Sequence, residues 1–176
     1  IHPFDAPERF LRELNPRGVI LSGGPETVTA EHTPRIPPVI FELGVPVLGI
    51  CYGMQAMAAQ LGGRVETSAH REFGYAEIRP FDSRLLEGFN DAADAGGVAL
   101  LKVWMSHGDR VERAPPGFSI TARSANSPLA AMEDTRRHFY GVQFHPEVTH
   151  TPHGVNMLQN FLYEICGCKG SWKMSS

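Results

Sequence analysis

No apolar run in this chain approaches the roughly 18 residues needed to cross a bilayer, so no membrane-spanning helix is expected. There is no long basic run either, and the formal net charge over 176 residues is −3. That balance provides no electrostatic footprint for a nucleic-acid groove or an anionic membrane face. The N-terminus lacks the charged-then-apolar plan of a secretory signal. A phosphate-cradling Gly-x4-Gly-Lys-Ser/Thr loop is absent, as are internal repeats and low-complexity tracts. Cysteine is scarce, with only Cys51, Cys166 and Cys168. The number is odd and the last two lie too close together to staple a fold. No disulfide framework is visible, and a reducing, cytoplasmic compartment is expected. Cys166-Gly167-Cys168 has no companion ligands at zinc-like spacing, so no metal site is expected. The composition that remains is ordinary for one globular domain with a core: 42% hydrophobic and 20% charged.

The pattern of short apolar runs alternating with helical segments predicts an α/β domain. Ala6 to Asn15 reads as a helix with Phe10, Leu11 and Leu14 on one face, stopped by Pro16. Gly18 to Ser22 is a short strand followed by the sharp Gly23-Gly24-Pro25 loop. Pro34 to Gly44 reads as a helix with prolines at its start and Gly44 as its C-cap. Val45 to Ile50 is a second strand and Tyr52 to Leu61 the helix after it. Tyr75 to Arg79, Ala99 to Met105, Phe118 to Ser124 and His138 to Phe144 are further strands, with a surface loop over Asn90 to Gly97. Gly154 to Cys166 is the last helix. The expected architecture is three-layered, with a mostly parallel central sheet between helices. In such sheets sites gather at the carboxyl ends of strands, where Gly23-Gly24 and Cys51 both fall.

Cys51 stands in Gly49-Ile50-Cys51-Tyr52-Gly53, between an apolar run and a helical pattern. That is the layout of a nucleophile elbow with sulfur replacing the serine oxygen. A helix N-terminus beneath a thiol favours its anion. Taken alone, Cys51 could equally be a small buried packing residue. The strand ending at Phe144 changes the balance, because it runs straight into His145-Pro146-Glu147. Residues two apart in an extended segment point the same way, and Pro146 pushes His145 towards extended geometry. A base beside the carboxylate that orients it is what a thiol nucleophile requires.

With these residues in view, the chain resembles the class I, triad-type glutamine amidotransferases. The motifs that carry the resemblance are Ser22-Gly23-Gly24-Pro25, Gly49 to Gln55, Ser106-His107-Gly108-Asp109, and Gly141 to Glu147. They occur in the family's order and cover most of the chain. Pro25-Glu26-Thr27-Val28, Trp104 to Asp109, and Val148-Thr149-His150-Thr151 with Gly154 resemble the GMP synthase branch in particular. The resemblance implies a flavodoxin-like fold and a catalytic triad of Cys51, His145 and Glu147. It also implies an oxyanion hole from the backbone N–H groups of Gly24 and Tyr52, in keeping with a glycine loop and a helix N-terminus. Gln55 would help hold glutamine, and Ser106, His107, Gly108 and Asp109 would form the loop around its α-amino and α-carboxylate groups. His150 and His153 superficially extend a metal-like pattern from His145. Since His145 is needed as the base and Pro152 and Gly154 interrupt the segment, a loop facing a partner domain is expected instead.

The implied reaction is hydrolysis of glutamine to glutamate and ammonia through a Cys51 thioester, with no cofactor in this domain. The ammonia would pass to an ATP-pyrophosphatase domain that uses ATP and Mg²⁺ to convert XMP to GMP. Competing readings are an amidotransferase serving CTP, anthranilate or carbamoyl phosphate synthesis, and a γ-glutamyl peptide hydrolase. Residues 1–166 are expected to be the amidotransferase domain, lacking a first strand and helix. Residues 167–176 would begin the linker to the second domain, and the full-length protein would be a homodimer. Neither nucleic acid nor membrane is an expected partner.

Overall fold

A computed structural model describes residues 2–3, 6–23, 35–88 and 91–168, with residues 68–70 described by their backbone alone. The elements in order are α1 (Glu8–Glu13), β1 (Val19–Leu21), a 3-10 turn (Pro38–Phe41), β2 (Val47–Ile50), α2 (Tyr52–Gln60), β3 (Arg64–Pro80), β4 (Ala92–Ala93), β5 (Ala99–Arg113), β6 (Ser119–Arg123), β7 (Ala131–Asp134), β8 (Phe139–Val142) and α3 (Gly154–Gln159). A π-helical stretch, Asn160–Ile165, continues α3.

The strands form one eight-stranded sheet in the order β1-β2-β8-β7-β6-β3-β5-β4. Apolar residues alternate across it, as the pleat demands. Val47 and Phe139 join a cluster with Leu11 of α1, Val39 and Ile40 of the 3-10 turn, and Met54 and Met57 of α2. Leu48, Ile50, Tyr140 and Val142 join a second cluster with Met157 of α3, Phe161, Leu85 and Leu86. Two apolar clusters on opposite faces make the three layers expected of the α/β class. The sheet itself is mixed. β1, β2 and β8 run parallel, and every other pairing is antiparallel. The reason is connection length: β6, β7 and β8 follow one another through short turns, which reverse the chain, and β3 lies antiparallel between β5 and β6. The parallel part is confined to the strands beside Cys51. No helix among the described residues is long and apolar enough to cross a membrane.

Several elements differ from expectation. The helix foreseen over Pro34 to Gly44 begins outside the described residues, and from Arg35 onward it is a single 3-10 turn. Pro37 and Pro38 supply no N–H, and Gln60 ties Ile36 down on both sides, accepting from its N–H at 2.7 Å and donating to its carbonyl at 2.8 Å. On α1 only Leu11 is buried, while Phe10 and Leu14 stay exposed. The strands around Tyr75 and Ala99 extend into a long antiparallel hairpin, from Arg64↔Arg113 to Ile78↔Leu101. The loop read over Asn90 to Gly97 contains the two-residue β4.

β7 is a strand the pattern did not suggest, because Glu133 and Asp134 are poor strand formers that nonetheless lie buried. Glu133 makes the burial tolerable. Its Oε1 accepts from the Ser83 hydroxyl at 2.7 Å and the Leu85 N–H at 3.0 Å, and its Oε2 accepts from the Arg84 N–H at 3.1 Å. This carboxylate therefore pins the 83–86 turn, whose Leu85 and Leu86 fill the second cluster. Replacing Glu133 with Ala should strand three donors and lower stability by about 3 kcal/mol in urea unfolding. A loss under about 1 kcal/mol would mean those donors find other partners.

Candidate active site

β2 pairs with β8 up to Ile50↔Val142. The ladder continues one step further, as the Cys51 N–H donates to the Val142 carbonyl at 2.8 Å. There the chain turns sharply. Cys51 adopts φ 51° and ψ −105°, and α2 begins at the next residue. A side chain at positive φ costs on the order of 1–3 kcal/mol and persists only where its surroundings dictate it. Here they do. Gly53 lies so close to β1 that a Cβ on it would collide with the Leu21 carbonyl. The start of α2 is thus pressed onto β1, and the thiol is raised at the carboxyl end of the parallel strands.

β8 ends at Val142, earlier than expected, and residues 143–151 form bends and turns rather than extended chain. His145 is held through its backbone. Its N–H donates to the Trp104 carbonyl of β5 at 3.0 Å. The Thr151 hydroxyl donates to the His145 carbonyl at 2.6 Å and accepts from the Trp104 N–H at 3.0 Å. The start of α3 presses on the same loop, since a Cβ on Gly154 would collide with the Pro146 carbonyl.

Nδ1 of His145 lies 2.6 Å from Oε1 of Glu147. Cys51 is the other group whose charge the imidazole feels, and with Nδ1 engaged by Glu147, Nε2 is the nitrogen left free to face it. The imidazolium is stabilised chiefly by Cys51 and then by Glu147. Against a lowering by burial, these push the His145 pKa up to about 10. The Cys51 sulfur further contacts the Ser106 carbonyl at 3.5 Å and Nε2 of Gln143 at 3.6 Å.

The remaining sequence candidates divide. Tyr52 is the first residue of α2, buried beside Cys51. Gly24 lies outside the described residues. Gln55 is buried rather than solvated. Its Nε2 donates to the Asp109 carbonyl at 2.9 Å and to Oε1 of Gln143 at 3.3 Å. Ser106 to Asp109 form part of β5 rather than a loop. The partner strand bulges opposite them, the register passing from Asp109↔Thr67 to His107↔Glu72. His107 is buried with both ring nitrogens engaged: Nδ1 is 2.8 Å from the Asp109 carbonyl and Nε2 3.2 Å from Oε2 of Glu72. The Asp109 carboxylate is buried, and its Oδ2 has no hydrogen-bond partner among the described residues. Gly108 faces Arg71, with room of 3.5 Å for a Cβ.

His150 and His153 do not converge on His145. His150 packs against the Trp104 ring at 4.5 Å between centroids, and Nε2 of His153 meets Asp91 at 3.3 Å. Among the described residues no group of three or more His, Cys, Asp or Glu side chains could hold a metal ion. Gln143, Thr151 and Trp104 stand within the motifs that carry the resemblance, yet sequence reasoning gave none of them a role of its own. Gln143 offered the plainest signal, as an amide between the apolar Val142 and Phe144.

The Glutamine amidotransferase class-I family model matches residues 1–165. The GMP synthase (glutamine-hydrolyzing) of Nitrosococcus oceani is 60% identical over 174 residues, covering 98% of this chain and 33% of its own length. That of Paraburkholderia phytofirmans is 56% identical over 177 residues, covering 100% of this chain and 34% of its own. This chain therefore spans about a third of the length of these relatives. Among solved structures, a Thermoplasma acidophilum protein described as part of a GMP synthase superposes with a TM-score of 0.76 at 28% identity, over 95% of this chain and 80% of that one. A glutamine amidotransferase of Thermotoga maritima, at 23% identity, shares the fold with a TM-score of 0.62 over 84% of this chain and 62% of its own. The chain belongs to the class-I glutamine amidotransferase family.

Proposed function

We propose that this chain hydrolyses glutamine to glutamate and ammonia, with Cys51 as nucleophile, His145 as base and acid, and Glu147 as its orienting carboxylate. The observation that carries the reading is the His145 imidazole, 2.6 Å from the Glu147 carboxylate and with its proton favoured most by Cys51. The sulfur attacks the side-chain amide carbon while its proton resides on His145, and the carbonyl oxygen becomes an oxyanion. The backbone N–H groups of Gly24 and Tyr52 are the proposed donors to it, each worth about 3 kcal/mol of transition-state stabilisation. His145 returns its proton to the nitrogen as the C–N bond breaks, and ammonia leaves. Water then attacks the thioester, giving its proton to His145. Glutamate departs, and the proton returns to the thiol. No step in this sequence calls for a cofactor. Gln55, Ser106, His107, Gly108 and Asp109 remain the proposed surroundings of the substrate. The tight internal bonds of Gln55 and His107 favour support of the pocket wall over direct contact.

The relatives' names support a further step of the same proposal. In a longer protein, the ammonia would feed an ATP- and Mg²⁺-dependent synthetase segment that converts XMP to GMP. Residues 1–166 would be the amidotransferase domain and 167–176 the start of the linker, of which 169–176 lie outside the described residues. A homodimeric, cytoplasmic protein is proposed for the whole. Its three free thiols suit that compartment.

The purified chain should release glutamate from glutamine, and Cys51→Ala should lower that rate by about 10³-fold or more, with Glu147→Gln near 10²-fold. Unchanged release in the Cys51→Ala protein would sink the assignment. The same preparation supplied with XMP, ATP, Mg²⁺ and ammonia should form no GMP, which chromatography of the nucleotides would detect. The electrostatics give a third test. His145 should hold its proton far above neutral pH, and an NMR titration of its ring should fall towards ordinary histidine values in Cys51→Ala. It should fall less in Glu147→Gln, since the sulfur is the larger cause. Equal titration in all three proteins would refute the triad's electrostatics.

A further inference from the structure

The mechanism above leaves Gln143 without a task, yet its side chain is fully buried. A buried primary amide is costly unless both halves are paired. Both are. Oε1 accepts from Nε2 of Gln55 at 3.3 Å, and Nε2 points at the Cys51 sulfur from 3.6 Å. Its backbone is fixed as well, the N–H donating to the Ala130 carbonyl at 2.9 Å.

The orientation of this amide follows from its partners. The Asp109 carbonyl can only accept, so the Gln55 atom at 2.9 Å from it must be the NH₂ group. The second hydrogen of that NH₂ faces Gln143, so the Gln143 atom opposite must be the oxygen. The Gln143 NH₂ is thereby aimed at the sulfur. A backbone carbonyl on β5 thus dictates, through two side chains, which end of Gln143 meets Cys51.

Thiol and thiolate respond differently to such neighbours. The Ser106 carbonyl, 3.5 Å from the sulfur, can only receive a proton and so favours S–H. An N–H donor favours S⁻, and a hydrogen bond to a charged group is roughly twice as strong as one between neutral groups. We propose that Gln143 is a positioning residue whose NH₂ donates to the Cys51 sulfur and favours the thiolate, held in that orientation by Gln55 from the Asp109 carbonyl. The inference rests on reading Cys51 as the attacking thiolate, but its test does not require glutamine turnover.

The rate of Cys51 alkylation by iodoacetamide would be followed against pH, with mass spectrometry separating the Cys51 adduct from those on Cys166 and Cys168. Gln143→Met keeps the length of the side chain and removes the donor. Its profile should move to higher pH by about one unit, a roughly tenfold slower reaction on the low-pH limb. Gln143→Glu, which presents oxygens to the sulfur, should move it at least as far. Gln55→Met, which frees the amide to turn, should move it in the same direction by less. Thermal melts identify which variants are folded, and the three substitutions back one another if one fails to fold. A folded Gln143→Met or Gln143→Glu protein with the wild-type profile overturns the proposal. If the wild-type chain hydrolyses no glutamine but the profiles shift, the functional reading fails and this one stands. If glutamine is hydrolysed and the profiles do not shift, the reverse holds.

Discussion

The parallel register of β2 against β8 is the constraint on which the site depends. Ile50 lies opposite Val142, and the Cys51 N–H extends the ladder by one bond to the Val142 carbonyl. Two strands ending at the same height deliver Cys51 and His145 to the same edge of the sheet, although they lie far apart in the chain. A slip of one residue would turn every side chain of β2 to the opposite face. It would exchange Val47 and Leu48 between the two apolar clusters, so the cores on both faces enforce the register. Packing energy distributed over the sheet is thereby converted into the placement of Cys51 and His145 at one edge.

The two halves of the site are held by different means. Cys51 is held by backbone geometry: a positive φ, a helix begun at once, and a Gly53 that lets α2 rest on β1. His145 sits in irregular chain and is held by hydrogen bonds. The closed circuit of Trp104, Thr151 and the His145 carbonyl does for it what the helix does for Cys51. Both devices fix the main chain and leave the side chains to face each other. Catalytic geometry demands such preorganisation, since an ångström of misplacement is costly. The aromatic group of Tyr75, Trp104 and His150 packs beside this circuit. The carbonyl that anchors His145 therefore belongs to a residue with its own packing partners.

How much of this was legible in the sequence depended on range. The elbow was readable because its requirements are local: an apolar strand, small residues around Cys51, and a helical pattern after it. His145-Pro146-Glu147 was readable for the same reason, although the two side chains meet across a turn rather than along a strand. β7 was not readable, because Ala131-Met132-Glu133-Asp134 owes its strand to β6, β8 and the donors that satisfy Glu133. The mostly parallel sheet was an extrapolation from the strands beside the elbow to strands whose short connections reverse them. The 3-10 turn at Pro38–Phe41 shows tertiary ties overruling a helical pattern, with Gln60 occupying the backbone of Ile36. Ser106 to Asp109 looked like a loop because polar residues and glycine suggest one, while the long pairing with β3 makes them strand.

The polar interior behind Cys51 shows why the rest was hidden. Gln55, Gln143, His107 and Asp109 come from α2, the turn after β8, and β5, and all are buried. Each such group would weaken the core if left unpaired, and each is recognisable only once the others are in place. Gln55 and Gln143 satisfy one another, and the surplus hydrogen-bonding capacity of the pair is directed at the β5 backbone and at the sulfur. An apolar pair of equal volume would pack at this site without any desolvation cost, yet it would present nothing to Cys51. Buried amides at that position are better explained by what they do to the sulfur than by what they add to the core.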